Sequence, residues 1–292
     1  MLKKIGNYAL KNKIDENELS ICYKAIDNNS KLYAIKEINI QNKEYVDNKI
    51  KILKTMNYKY SIKFIELIEK NDYIYLILEL CDGNLNDLLK KKNGNLDITR
   101  IFEIIIQLNE VLKLMHSKEI EHTNLKPENI LIKNKNYFHI KLSDYILTKN
   151  FPNNNNSKFI NNRSIYYQAP EVYQNKRNRK SNLWSIGLIL YYLYFNQLPF
   201  IDNEDYFNPN NKIILKKTHF KILDDLISKL LIKNPNERIN WDEYFNHPFN
   251  KQQIIEIYTN LEKDEKISNI INKDFQEQLK DSKIFLDGKK KI

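Results

Sequence analysis

The hydrophobic pattern of this chain changes period near residue 80, and that change limits the folds open to it. Residues 18–26 and 31–38 are strand-like runs joined by the turn-forming Asp27-Asn28-Asn29-Ser30. Residues 44–56 place Val46, Ile50, Leu53 and Met56 at helical spacing. Residues 61–68 and 73–80 read as two more strands, split by the polar Glu69-Lys70-Asn71-Asp72. The expectation is a small α+β unit of five strands, four of them located by these runs, and one helix. After Cys81-Asp82-Gly83 the pattern becomes helical over 84–92, 97–116, 182–195, 220–232 and 241–245, with two short strands at 129–133 and 138–142. Pro199, Pro235 and Pro248 punctuate these helices.

Composition narrows the class. The 292 residues are 42% hydrophobic and 29% charged, enough for one large domain or two coupled lobes with an ordinary core. The net charge of +10 has two readings: a nucleic-acid or anionic-membrane partner, or solvated surface lysines. No long Lys/Arg block stands out, and the densest cluster is residues 176–180, so the second is preferred and nucleic acid is not expected. Cys22 and Cys81 have no metal-ligand spacing and fit a reducing compartment. The N-terminus lacks a signal-type apolar stretch, and the longest apolar run, residues 186–195, is too short to span a bilayer. The expectation is a cytoplasmic protein without a membrane span.

The most specific stretch is His122-Thr123-Asn124-Leu125-Lys126-Pro127-Glu128-Asn129-Ile130-Leu131. It resembles the catalytic loop of eukaryotic protein kinases, His-Arg-Asp-Leu-Lys-Pro-Glu-Asn, in its serine/threonine form. Tyr33-Ala34-Ile35-Lys36 is similar to the strand motif Val-Ala-Ile-Lys, and Ser143-Asp144-Tyr145 stands where Asp-Phe-Gly begins. Ala169-Pro170-Glu171 matches the end of the activation segment, and residues 182–187 resemble the start of the buried large-lobe helix. Arg238 is the partner that the resemblance implies for Glu171, a structural pair.

The resemblance implies a bilobal protein-kinase-like fold. A small β-rich N-lobe with one helix would span residues 8–80, and a larger, mostly helical C-lobe 81–249. Residues 250–292 would form a charged helical tail. It also implies an ATP site: Lys36 on the phosphates; Ala34, Cys22 and Leu131 around the base; Leu78 as gatekeeper before the hinge Glu79-Leu80-Cys81. Asn129 and Asp144 would be the Mg²⁺ ligands, because Mg²⁺ prefers oxygen donors. Lys126 would neutralise charge near the transferred phosphoryl group.

Several positions depart from the family pattern. Asn124 stands where the catalytic Asp is expected, and an amide cannot take the hydroxyl proton. The glycines of the phosphate loop are replaced by Asp15, Asn17 and Ser20. Lys49 occupies the place of the helix Glu that would pair Lys36, so two ammonium groups are expected to face and repel each other. Thr123 replaces the Arg that reads a phosphorylated loop, leaving Ser157 and Ser164 without their receiver. Tyr145 and Ile146 replace the Phe and Gly of the metal motif, and Asn182 replaces an anchoring Asp.

These departures imply a pseudokinase, catalytically inactive or strongly impaired. It would serve as a scaffold or allosteric regulator of protein partners, such as an active kinase or a substrate protein, and bind ATP and Mg²⁺ weakly or not at all. The alternative is a slow, unconventional serine/threonine protein kinase.

Overall fold

A computed structural model of the chain describes residues 3–17, 19–91, 96, 98–134, 138–145, 166–200, 206–208 and 211–250. The first unit is a six-stranded antiparallel sheet: β1 (Lys4–Ile5), β2 (Tyr8–Glu16), β3 (Ser20–Ile26), β4 (Leu32–Asn39), β5 (Phe64–Lys70) and β6 (Tyr73–Glu79). Their spatial order is β1-β2-β3-β4-β6-β5. The located runs correspond to β3, β4, β5 and β6; β2 has no located run, its second half being solvent-exposed and largely polar, and the two-residue β1 is too short to show a period.

Alternation along β4 sorts its residues between two environments. Tyr33 and Ile35 pack with Tyr8, Ala25, Tyr75 and Ile77 on one face of the sheet. Ala34 joins a different core, shared with Cys22 of β3 and Leu78 of β6. Lys36 follows Ala34 at the strand period and so lies on that same face. The register sets Ala34 opposite Leu78, and Lys36 opposite Cys22 and Leu76 on its two neighbours.

Helix α1 (Lys43–Thr55) buries Val46, Lys49, Ile52 and Leu53. The spacing of these four is that of one apolar stripe, so Lys49 points inward by helix geometry. Ile52 and Leu53 belong to the same core as Ala34 and Leu78, which continues into the helical part of the chain.

That part contains β7 (Gly83–Asn84), α2 (Leu85–Lys91), α3 (Ile98–Ser117), β8 (Ile130–Asn134), β9 (His139–Leu142), α4 (Pro170–Tyr173), α5 (Ser181–Phe195), α6 (Lys221–Leu230) and α7 (Trp241–Asn246). Strands β7, β8 and β9 form a small antiparallel sheet, with the segment 122–129 entering β8. Helix α5 is buried nearly all round, as its predominantly apolar sequence requires. It packs so tightly on α6 that a Cβ added at Gly187 would lie 2.8 Å from Leu230 Cβ. Helix α7 starts with a reciprocal cap between Asn240 and Glu243. Among the described residues, no helix is long and apolar enough to cross a membrane. The expected tail helices beyond residue 250, Ile146, Ser157 and Ser164 lie outside the described residues.

Candidate nucleotide site

The groups expected to handle phosphate and metal converge between the sheet and the β8–β9 hairpin. Lys36 Nζ lies 2.5 Å from Asp144 Oδ1. Lys49 Nζ lies 2.6 Å from that same oxygen. The side chains of Lys36, Lys49 and Asp144 are 13%, 5% and 18% exposed, so water screens the cluster little. Lys49 therefore does not simply oppose Lys36, as the sequence suggested. One carboxylate lies between the two ammonium groups and binds both.

The electrostatics follow. Burial raises the Asp144 carboxyl pKa, but the attraction of Lys36 and Lys49 outweighs it and holds it well below the usual carboxylate range. Burial lowers the pKa of Lys49, but Asp144 and Tyr45 more than offset it, and the net shift is upward. Asp144 and Lys49 are thus both charged near neutral pH. Asp144 itself has φ of 62°, in the left-handed region, where a short Asp side chain is better tolerated than a branched one.

This arrangement does not fit a divalent cation on Asp144. Mg²⁺ takes oxygen donors at about 2.1 Å, and a dication on this carboxylate would sit against two ammonium groups that already use it. Asn129, the other proposed metal donor, is buried and gives its Nδ2 to the Asn124 carbonyl at 2.6 Å.

The loop carrying Asn124 is held from several sides. The buried His122 ring accepts from the Asn124 amide at Nδ1, 3.4 Å away, and donates from Nε2 to the Ser143 carbonyl, 2.7 Å away. Burial lowers its pKa to about 4, the hydrogen bond to Ser143 opposing the shift, so the ring is neutral near pH 7. The Asn182 carboxamide, with Nδ2 toward the His122 carbonyl at 2.6 Å and Oδ1 toward the His122 amide at 3.1 Å, secures the loop backbone. An amide thus suffices for this anchor, because both partners are backbone groups. Tyr145 is buried, and its hydroxyl meets Ser61 Oγ at 2.7 Å.

The apolar wall of the site is assembled from Cys22, Ala34 and Leu78, all buried, and the half-buried Leu131. Burial pushes the Cys22 thiol up to about 11 and the Cys81 thiol up to about 12, so both are neutral packing groups. Glu79 is bound by Lys141 at 3.1 Å and Lys133 at 3.3 Å, and Lys133 also donates to the Leu80 carbonyl at 2.6 Å. The segment expected to be the hinge is therefore tied to the β8–β9 hairpin. Lys126, in the same loop as Asn124, is half-buried.

The β2–β3 turn differs from a phosphate-binding glycine loop in a specific way. Asn17 Oδ1 accepts from the amides of Leu19 at 3.0 Å and Ser20 at 2.9 Å. Two backbone donors that a glycine loop could present to an anion are satisfied internally. Asp15 pairs in register with Cys22 and is exposed to solvent.

Two groups near Thr123 were not assigned a role by sequence. Gln168 Nε2 and Arg177 Nη2 both donate to the Thr123 carbonyl, at 3.1 and 3.2 Å, while Thr123 Oγ1 is buried with no hydrogen-bond partner among the described residues. Arg177 falls in the basic cluster read as solvated surface. That cluster is dispersed: Arg179 pairs with Glu119 at 2.8 Å, and Lys180 donates to the Arg238 carbonyl at 2.6 Å. Further away, Arg238 grips Glu171 with two bonds, at 2.8 and 3.0 Å, both side chains being buried.

Residues 8–250 match the family model described as the protein kinase domain. This chain belongs to that family. Among curated relatives of the kinase domain, it is 30% identical over 261 residues to the serine/threonine-protein kinase ATG1b of Arabidopsis thaliana, covering 84% of this chain and 37% of that protein. It is 33% identical over 235 residues to calcium-dependent protein kinase 5 of Plasmodium falciparum, covering 75% and 40% respectively. With the serine/threonine-protein kinase ULK3 of Xenopus laevis the identity is 30%, covering 84% of this chain and 56% of that one. The chain thus spans well under two thirds of these relatives' length. A crystal structure of Rad53 in complex with AMP-PNP shares the fold, with TM-score 0.69 and 24% identity, covering 84% of this chain and 66% of the other.

Proposed function

We propose that this kinase domain is a pseudokinase: phosphoryl transfer is absent or strongly impaired, and the domain acts on protein partners as a scaffold or allosteric regulator, binding ATP weakly. The observation that carries the reading is the shared carboxylate. Asp144, the group expected to hold metal, is neutralised by Lys49 while it also engages Lys36. Asn124 adds to this, since loss of a general base lowers a rate by about 10²–10⁴-fold. The protein partners belong to the classes that a kinase fold serves, an active kinase or a substrate protein.

The second reading is a slow serine/threonine kinase. It is favoured by the retention of Lys36, Lys126, Asn129 and Asp144, and by one carboxylate oxygen of Glu128 that is buried without a hydrogen-bond partner among the described residues.

Transfer of labelled phosphate from ATP to a generic basic protein separates the two. Wild type is expected at background, with Asn124→Asp combined with Lys49→Glu rising clearly above it. Wild type as active as the double variant, and silenced by Glu128→Gln, would favour the slow kinase instead.

A further inference from the structure

We propose that Lys49 is a built-in countercation, so that the pocket takes a nucleoside triphosphate as the free anion rather than as its Mg²⁺ complex. The inference rests on reading this pocket as a nucleotide site and concerns the form of the ligand it accepts.

The charge count comes first. The cluster holds two ammonium groups and one carboxylate, a net charge of +1. Tyr45 hydrogen-bonds Lys49, and the buried His122 ring, neutral near pH 7, adds nothing. Asp15, on the strand beside Cys22, is exposed and screened by water. A polyphosphate entering this pocket meets positive charge already in place, without importing a cation.

The division of labour follows from position. Lys49 arrives from the buried stripe of α1 and is the less exposed of the two lysines. Its pairing with Asp144 Oδ1 offsets the carboxylate charge. Lys36 lies on the sheet face beside Cys22 and Ala34 and is the more exposed. With Asp144 already neutralised, the Lys36 charge is available to phosphate oxygens, and an ammonium has three donors to share. A divalent metal gains little here: the one carboxylate that would hold it is occupied by cations.

The ligand is therefore a nucleoside polyphosphate free of divalent metal. Adding Mg²⁺ removes free ATP from solution and weakens apparent binding.

The test is calorimetric titration of the full chain with ATP, once in EDTA and once in excess Mg²⁺, with adenosine as an uncharged control. Wild type is expected to bind ATP more tightly in EDTA than in excess Mg²⁺. Lys49→Met should lose about tenfold in EDTA, as removal of one nearby charge implies, with adenosine binding unchanged; that control shows the variant is folded and the base pocket intact. Lys49→Glu should make ATP binding depend on Mg²⁺. Wild-type binding that is as tight or tighter in excess Mg²⁺ overturns the inference, as does equal ATP affinity of wild type and Lys49→Met in EDTA. Absence of ATP binding in both conditions also overturns it, yet leaves the pseudokinase reading standing. Mg²⁺-dependent binding together with phosphate transfer by wild type removes both.

Discussion

Lys49 and Asp144, 95 residues apart in sequence, form an ion pair at 2.6 Å between the helix of the small unit and the segment after β9. Each is poorly exposed, so the pair sits where charges are costly unless matched. The match is uneven: Asp144 serves two lysines, whereas Lys49 depends chiefly on Asp144.

Removal of the shared carboxylate should therefore hurt more than removal of one ammonium. Asp144→Ala leaves two buried like charges facing each other, and the cost expected for breaking a buried pair is about 3–5 kcal/mol. Lys49→Met keeps the Lys36–Asp144 contact and fills similar volume with an apolar chain, so it should cost less than half as much. Urea denaturation of the two variants checks the order; a less stable Lys49→Met would contradict it.

Acid should destabilise the domain through His122. Its folded pKa is lowered to about 4, from about 6.5 when exposed. Between these values the unfolded chain binds a proton that the folded chain refuses, so stability falls as pH drops from about 6.5 to 4. The whole shift is worth about 3 kcal/mol. Burial also lowers the pKa values of His139 and His247, with the same sign. Asp144, held low, keeps its contribution above about pH 3.9 and loses it only in stronger acid. Urea midpoints at pH 7 and pH 5 should differ in wild type and differ less in His122→Gln; equal differences in both proteins would rule out His122 as the source.

Restoring glycine to the phosphate loop should improve nucleotide affinity. Asn17→Gly releases the amides of Leu19 and Ser20 from the Asn17 carboxamide and permits the turn to adapt. A severalfold gain in ATP affinity by titration is expected. No gain would mean that the loop amides do not reach the phosphates.

Gly187→Ala should destabilise the large helical core. Its new methyl would lie 2.8 Å from both Leu230 and Leu231 side-chain atoms. Overpacking of this kind costs about 1–3 kcal/mol, against about 1 kcal/mol gained from helix propensity. A net loss in thermal or urea stability is the expected result, and an increase would show that α5 and α6 can separate freely.

Sequence alone determined what depends on local pattern. The period-two runs specified the strands because a pleat alternates faces, and the helical stripes specified the helices because 3.6 residues make a turn. The ten residues from His122 to Leu131 marked the kinase loop, and Asn124 stands in it where the resemblance expects a base, since an amide's chemistry is a property of the residue itself. The tertiary structure decided what depends on which distant groups meet. It placed Asp144 between Lys36 and Lys49, turning an expected repulsion into a three-charge cluster. It brought Arg177 and Gln168 onto the Thr123 carbonyl, and closed the Asn17 side chain over its own turn. Electrostatic energy falls with distance and rises as water is excluded. Spacing along the chain encodes neither quantity for groups a hundred residues apart, and only folding brings their charges within reach of each other.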